Sequence, residues 1–329
     1  KDTLVELIYN HIRAKFRHSH YPVSDEYFAG IFYTALRRKD IEAQLVAVPN
    51  KFLTSMDNLV LTRELIYCVK YKDHFIFPTQ SCSNVYENDK FYDGQKGFAA
   101  RMDDRGRKVE SVMDITLPAS TFNDNVEDDI YDVSIKADNF EQVKVVDTSS
   151  YKGMFKRDYY SYFSKLEEMN ERDDTTILFK SELKEGSQRG NPTRLEEIKR
   201  KREEAIKANY EEFKKNHKEK LGDSYSNVIS VDTFEHLQTG TRPHESVLRD
   251  HSEYTLGDLT KKIGNNYIIE LGKIIGSQIE IKKDEHERRS NIWIEFPKQL
   301  NNKIRFKIPE GYHAEGLENF NFNVDNEAG

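Results

Sequence analysis

The sequence predicts an α+β chain in two parts, and three observations carry that reading. Apolar residues recur at helical spacing near the front, alternating strand patterns follow, and the final third is a series of short apolar runs set off by turn residues. The first part is placed at 1–125 and a β-rich second part at 126–329, interrupted by a helical excursion at about 153–222. A chain of 329 residues accommodates two domains at about 150 residues each.

The opening helix is read from Leu4, Leu7, Ile8, Ile12 and Phe16, with Thr3 and Glu6 at capping-box spacing. A second helix starts after Pro22. Ser24 is its expected N-cap, and Asp25 and Glu26 suit the positive end of the helix dipole. Its apolar face is Phe28, Ile31, Phe32, Ala35 and Leu36. Ile41, Ala43, Leu45 and Ala47 alternate as in a strand, while Val46 and Val48 make both faces apolar, the mark of a central strand. Runs at 64–71 and 74–77 read as a hairpin turning at Lys72-Asp73. Beyond Asn84 the pattern gives way to a polar region with turn signals at Asp93-Gly94, Gly97 and Arg105-Gly106.

The acidic stretch 123–129 reads as a loop and as the boundary between the parts. Strands follow at 131–136 and 142–146, then an aromatic-rich helix at 155–169 with Tyr159, Tyr162, Phe163 and Leu166 facing inward. Gly190-Asn-Pro-Thr193 opens a long charged helix reaching Leu221 and stopped by Gly222. Its narrow stripe of Leu195, Ile198, Arg202, Ile206, Tyr210 and Phe213, interrupted by Arg202, predicts a lone surface helix rather than a coiled-coil partner. Short strands at 228–237, 266–272, 278–282, 292–296, 304–308 and 320–324 predict an antiparallel sheet or sandwich.

The charge balance limits the function classes. A net charge of −7 argues against a nucleic-acid partner, since phosphate binding needs a basic footprint. Hydrophobic content is 37% against 33% charged, yet 19 Phe and 18 Tyr supply bulk for ordered cores. No apolar run approaches the roughly 20 residues of a membrane-spanning helix. The abrupt opening at Lys1-Asp2-Thr3 and the turn after Val324 are expected of a piece cut from a longer chain. Two cysteines make no disulfide framework: Cys68 is expected as a small buried residue and Cys82 in a loop, with a bridge between them left open.

Four segments of the first part, Ile8-Tyr-Asn-His-Ile-Arg13, Tyr27-Phe-Ala-Gly-Ile-Phe-Tyr-Thr-Ala-Leu36, Ile41-Glu-Ala-Gln-Leu-Val-Ala-Val48 and Phe75-Ile-Phe-Pro-Thr79, resemble the core of transglutaminase-like proteins. That family carries a Cys at the start of the second helix, a His in the strand after the long loop, and an Asp just before Pro-Thr. A thiolate at a helix N-terminus is activated by the dipole and a neighbouring imidazole, which the carboxylate orients. Here the three places hold Ser24 or Asp25, Arg63 or Glu64, and Phe77. The resemblance therefore implies a scaffold without its nucleophile, with no cofactor and no retained acyl transfer. The old cleft, lined by Ser24, Asp25, Glu64 and Phe77, is expected to be closed or reused for a peptide, a glycan or an envelope protein.

In the second part, Ile263-Gly-Asn-Asn-Tyr-Ile-Ile-Glu-Leu-Gly272, Glu287-Arg288, Ile292-Trp-Ile-Glu-Phe-Pro297 and Ile304-Arg-Phe-Lys-Ile-Pro-Glu-Gly-Tyr312 resemble the β-rich domain that follows such cores in large Gram-negative envelope proteins. That likeness implies a periplasmic or outer-surface location. Two other classes stay open: an amide hydrolase or acyltransferase using Cys82 or Ser24, and a structural spacer between neighbouring domains. Metal binding by His11, His18 and His20, or by the acidic stretch 124–129, lacks ligand spacing, and Gly94-Gln-Lys-Gly97 is no P-loop.

Overall fold

The computed structural model describes residues 1–17, 24–78, 85–87, 90–103, 108–136, 139–163, 196, 200, 204, 211, 214–238, 240, 246–276, 287, 294–317, 321 and 323. The expectations at His18, His20, Cys82 and the strand 278–282, most of the strand 320–324 and most of the long helix before 214 lie outside these residues. The fold is α+β with sheet predominating.

Two helices, α1 (Asp2–Arg17) and α2 (Asp25–Arg37), precede a five-stranded sheet of order β3-β2-β1-β4-β5. Its strands are β1 (Gln44–Pro49), β2 (Leu65–Tyr71), β3 (His74–Ile76), β4 (Lys96–Met102) and β5 (Val109–Thr116), all paired antiparallel. The sequence places Thr3 as a cap, but α1 starts at Asp2: the Lys1 carbonyl accepts from the amides of Leu4 and Val5 at 3.1 Å, so Thr3 lies inside the first turn. Asp2 instead ties the helix to the β2–β3 turn, accepting from the Tyr71 hydroxyl at 2.8 Å and from Lys72 Nζ at 2.7 Å. The Lys72-Asp73 turn is as expected, with Lys72 at φ 53°.

Alternation along the central strand β1 divides two cores. Ala43 and Leu45 meet Tyr9, Phe28, Phe32 and Leu36 on the helix side, whereas Val46 and Val48 join Cys68, Phe75, Phe77 and Ala99 on the other. Strands β4 and β5 occupy the region read as polar turns. Gly97 sits in β4, not in a turn, because a Cβ there would stand 2.4 Å from the Ala47 carbonyl oxygen: the glycine permits the close approach of β4 to β1.

The second part is built on another five-stranded sheet of order β12-β6-β7-β9-β8. It comprises β6 (Val126–Lys136), β7 (Asn139–Lys152), β8 (Val228–Gln238), β9 (Val247–Leu256) and β12 (Gln299–Lys307). A separate hairpin joins β10 (Thr260–Ile263) to β11 (Asn266–Ile269). The expected sandwich is not the architecture of the described residues. No second large sheet covers the first, and β12 runs parallel to β6, making the sheet mixed. One face packs against α3 (Met154–Phe163), α4 (214–224) and the short 3-10 helix Leu271–Ile275. The other face is polar and partly solvated, with Lys144 paired to Glu253 at 2.6 Å and Arg305 beside Asp132 at 3.4 Å.

The helix expected over 155–169 is described to Phe163, its remainder lying outside the described residues. Three other expectations shift. Helix α4 runs through Gly222 to residue 224 rather than stopping at it. Residues 126–129 are not a loop but the first residues of β6. Residues 294–296 carry no strand.

The two sheets share no strand. Asn125, 1% exposed, sits where the chain passes between them; its Nδ2 donates to Pro297 O at 2.9 Å and its Oδ1 accepts from Met154 N at 3.0 Å. Lysines bridge the parts, Lys51 Nζ among them, donating to the Glu295 carbonyl at 2.9 Å. Lys156 of α3 reaches Glu87 and the Gly240 carbonyl, and Lys90 pairs with Glu295 at 2.6 Å.

Candidate functional site

The four residues expected to line a cleft have separate structural jobs. Ser24 is the N-cap of α2, its Oγ accepting from the Tyr27 amide at 3.2 Å, and Asp25 lies in the first turn. Arg63 and Glu64 form a 3-10 turn ahead of β2, where Glu64 Oε2 accepts from Leu61 N at 3.3 Å. Phe77 is turned away from the helices. Ile76 faces the helix core, so alternation sends the Phe77 ring into the opposite core, stacked on Tyr92 at 4.2 Å. Its backbone alone faces α1, through Tyr9 Oη donating to the Phe77 carbonyl at 3.1 Å. The structure therefore does not bring Phe77 to the start of α2.

What lies beside Ser24 is an open depression of about 650 Å³ along the outward face of α2, lined by Glu26, Tyr27, Gly30, Ile31, Thr34 and Arg38. Of the four expected cleft residues only Ser24 lines it; Asp25, Glu64 and Phe77 do not. Replacing Ser24 with alanine removes one cap bond and is expected to cost about 1 kcal/mol in denaturant unfolding, with no change in labelling by a serine-directed fluorophosphonate.

The densest set of titratable groups is elsewhere, and the sequence reading missed it. Register places it on the covered face of the second sheet. Asp129 of β6 stands opposite Ser149 of β7, Ser149 opposite Asp250 of β9, and Asp250 opposite His236 of β8. One row further on, Tyr131, Asp147, Ser252 and Phe234 align in the same way. Glu127 precedes Asp129 on the same face by the period of two. An apolar row of Val133, Val145 and Tyr254 closes the band on one side.

Helix α4 covers the band with residues at helical spacing. His217 stacks on Phe234 at 4.2 Å between ring centroids, and the Lys220 ammonium sits 3.5 Å from the centre of the Tyr159 ring. Leu221 and Tyr225 enter the apolar core beside it, with Tyr225 Oη donating to Ile274 O at 2.6 Å. In the band, His236 Nδ1 hydrogen-bonds Asp250 Oδ1, and Ser149 Oγ donates to Asp147 Oδ1 at 3.1 Å. Asp250 Oδ2 and Asp129 Oδ1 are buried and have no hydrogen-bond partner among the described residues.

This crowding sets the electrostatics. Burial, with the Asp129 charge adding to it, raises the Glu127 carboxyl to about 7, while Lys220 opposes the shift. Burial likewise raises Asp129, against hydrogen bonds from Ser149 and Tyr131, and raises Asp147 well above the carboxylate range. The same desolvation lowers Lys220 to about 8 and His217 to about 3. Carboxylates raised beside an ammonium lowered are groups poised to exchange protons near neutrality. They lie between the sheet and two helices, with Glu127 and Lys220 only partly buried. Among the described residues no group of three or more His, Cys, Asp or Glu is placed to hold a metal ion.

One sequence signal could have found the band. Glu127 and Asp129 alternate in phase with Tyr131 and Val133, and His217, Lys220, Leu221 and Tyr225 share one helix face. Among the described residues no helix is long and apolar enough to cross a membrane. Comparison of the chain with protein-family models, with curated proteins and with solved structures gives no match.

Proposed function

We propose that this chain is a non-catalytic, transglutaminase-like protein of the bacterial envelope, periplasmic or on the outer surface, that binds or scaffolds a peptide, a glycan or another envelope protein. The observation that carries the reading is the use made of Ser24. Of the two residues where the family places its nucleophile, Ser24 is engaged as the cap of α2 and Asp25 lies in its first turn, while the other two family positions hold Arg63 or the turn-capping Glu64, and a core Phe77. The location rests on the likeness of the 263–312 segments to the β-rich domain of envelope proteins. The depression on α2 supports a binding role, because it sets the 58% exposed ring of Tyr27 between Glu26 and Arg38.

Titration of wild type and Glu26→Arg, a change in the lining of the depression, with peptidoglycan fragments and with unstructured peptides tests the site. Weaker binding by the variant is expected. Equal affinities in the two proteins remove the start of α2 as the binding site. Silence in both shifts the reading to a spacer, a role the buried bridges between the two parts would serve. Rapid labelling of Ser24 or Cys82 by fluorophosphonate or iodoacetamide would overturn the non-catalytic reading altogether.

A further inference from the structure

We propose that α4 is a pH-responsive latch on the second sheet, held closed in mild acid and loosened as the carboxylates beneath it ionise. The geometry supplies the two requirements of such a device. Helix α4 covers the band along a single face, with α3 beside it, and the groups beneath cannot all carry charge at once without water.

The groups that act on Glu127 come from several elements: Asp129 and Asp147 on the sheet, Lys220 on α4, and Lys298 from the segment before β12. Around them Asp250, paired with His236, and Asp223 act on Lys220, and His217 lies beside Lys220 and His236. Tyr159 of α3 completes the cover over Lys220. Glu127, Asp129 and Asp250 of the sheet and Asp223 of α4 thus act on one half-buried ammonium, Lys220. Two of them, Asp129 and Asp250, keep an unpartnered buried oxygen among the described residues.

The direction of the response follows from linkage. Glu127, raised from 4.5 to about 7, binds its proton more tightly when α4 is closed, so closure weakens as pH rises through that interval. Asp129 and Asp147 are raised and act in the same sense. His217, lowered from 6.5 to about 3, opposes them, but only below pH 6.5. Lys220, lowered from 10.5 to about 8, opposes them only above about pH 8. Between these limits the carboxylates act without opposition, and that window is where α4 loosens.

Amide hydrogen exchange of the intact chain, followed by mass spectrometry at pH 6.5 and 8.0 and corrected for intrinsic rates, tests the proposal. Protection of peptides covering 214–224 is expected to fall about five-fold beyond any fall in the β7 amides of Val143 and Val145. Glu127→Gln, which removes the titrating group and keeps its shape, is expected to abolish most of that difference. Equal changes in α4 and β7 would show global unfolding and overturn the latch, as would unchanged protection of α4 or a variant that keeps the wild-type pH response. Should Glu127→Gln fail to fold, the wild-type comparison of α4 with β7 decides the matter.

Discussion

Replacing Asn125 with alanine is expected to lower the unfolding free energy by about 3–5 kcal/mol, a loss reached only when several buried bonds go together. The side chain is 1% exposed, and its Nδ2 donates to Ser120 Oγ at 3.1 Å, Thr121 O at 3.3 Å and Pro297 O at 2.9 Å. Its Oδ1 accepts from Met154 N at 3.0 Å, satisfying an amide at the start of α3. Alanine would strand these partners, each at a cost of about 1–3 kcal/mol where water cannot replace the side chain. The surroundings cannot close in, because Gly153 is already so near that a Cβ on it would lie 2.5 Å from Asn125 Oδ1. Asn125→Asp sharpens the test. It keeps the shape and the acceptor for Met154 but points a carboxylate at two carbonyls, so it should be no milder than alanine near neutral pH. Urea unfolding of both variants, read by far-ultraviolet circular dichroism, measures the effect. A loss below about 1 kcal/mol would mean that the junction is not held by this side chain.

The parts of the fold that were legible in the sequence are those where burial and apolarity coincide. Helix α2 shows its apolar stripe, and β1 shows apolar residues on both faces, because each packs against hydrophobic neighbours alone. Strand β9 escaped notice although it lies between β7 and β8, since two of its inward positions are Asp250 and Ser252. A strand whose buried side carries a carboxylate and a hydroxyl has no apolar alternation to read. Strand β5 failed for the opposite reason. It is an edge strand exposed on almost every residue, so neither face is under selection for burial.

The site was less legible than the fold. Counting along the chain located the start of α2 well enough for Ser24 to be its cap, but it could not say which way Phe77 points, because one residue of register exchanges the two faces of a strand. The polar band depends on pairing between strands far apart in sequence, Asp129 with Ser149 and Ser149 with Asp250. Such pairing is fixed by the whole sheet rather than by any local pattern. The acidic stretch was visible throughout. Its inward direction was not, and that direction turns a solvated loop into a buried set of carboxylates.

The contact between Lys156 and Glu87 gives the second large expected effect. Lys156 is 0% exposed, donating to Glu87 and, at 2.9 Å, to the carbonyl of Gly240. A fully buried ammonium is stable only with partners of this quality, and removing one side of such a pair typically costs about 3–5 kcal/mol. Lys156→Met keeps the length of the stem and deletes the charge, leaving Glu87, whose side chain is 24% exposed, able to recover part of its hydration. Its expected cost is therefore at the lower end, about 3 kcal/mol. Glu87→Gln is expected to be at least as harmful, since it leaves the ammonium buried without a counter-charge. The double variant should lose less than the sum of the two by about 1–2 kcal/mol, a coupling that independent residues would not show. Little dependence on salt is expected between low and moderate ionic strength, in contrast to the exposed pair of Lys72 and Asp2. Additive losses in the cycle would mean that Lys156 acts through its buried stem alone, and the bridge between the two parts would then rest on Asn125 and on Lys51 and Lys90 with Glu295.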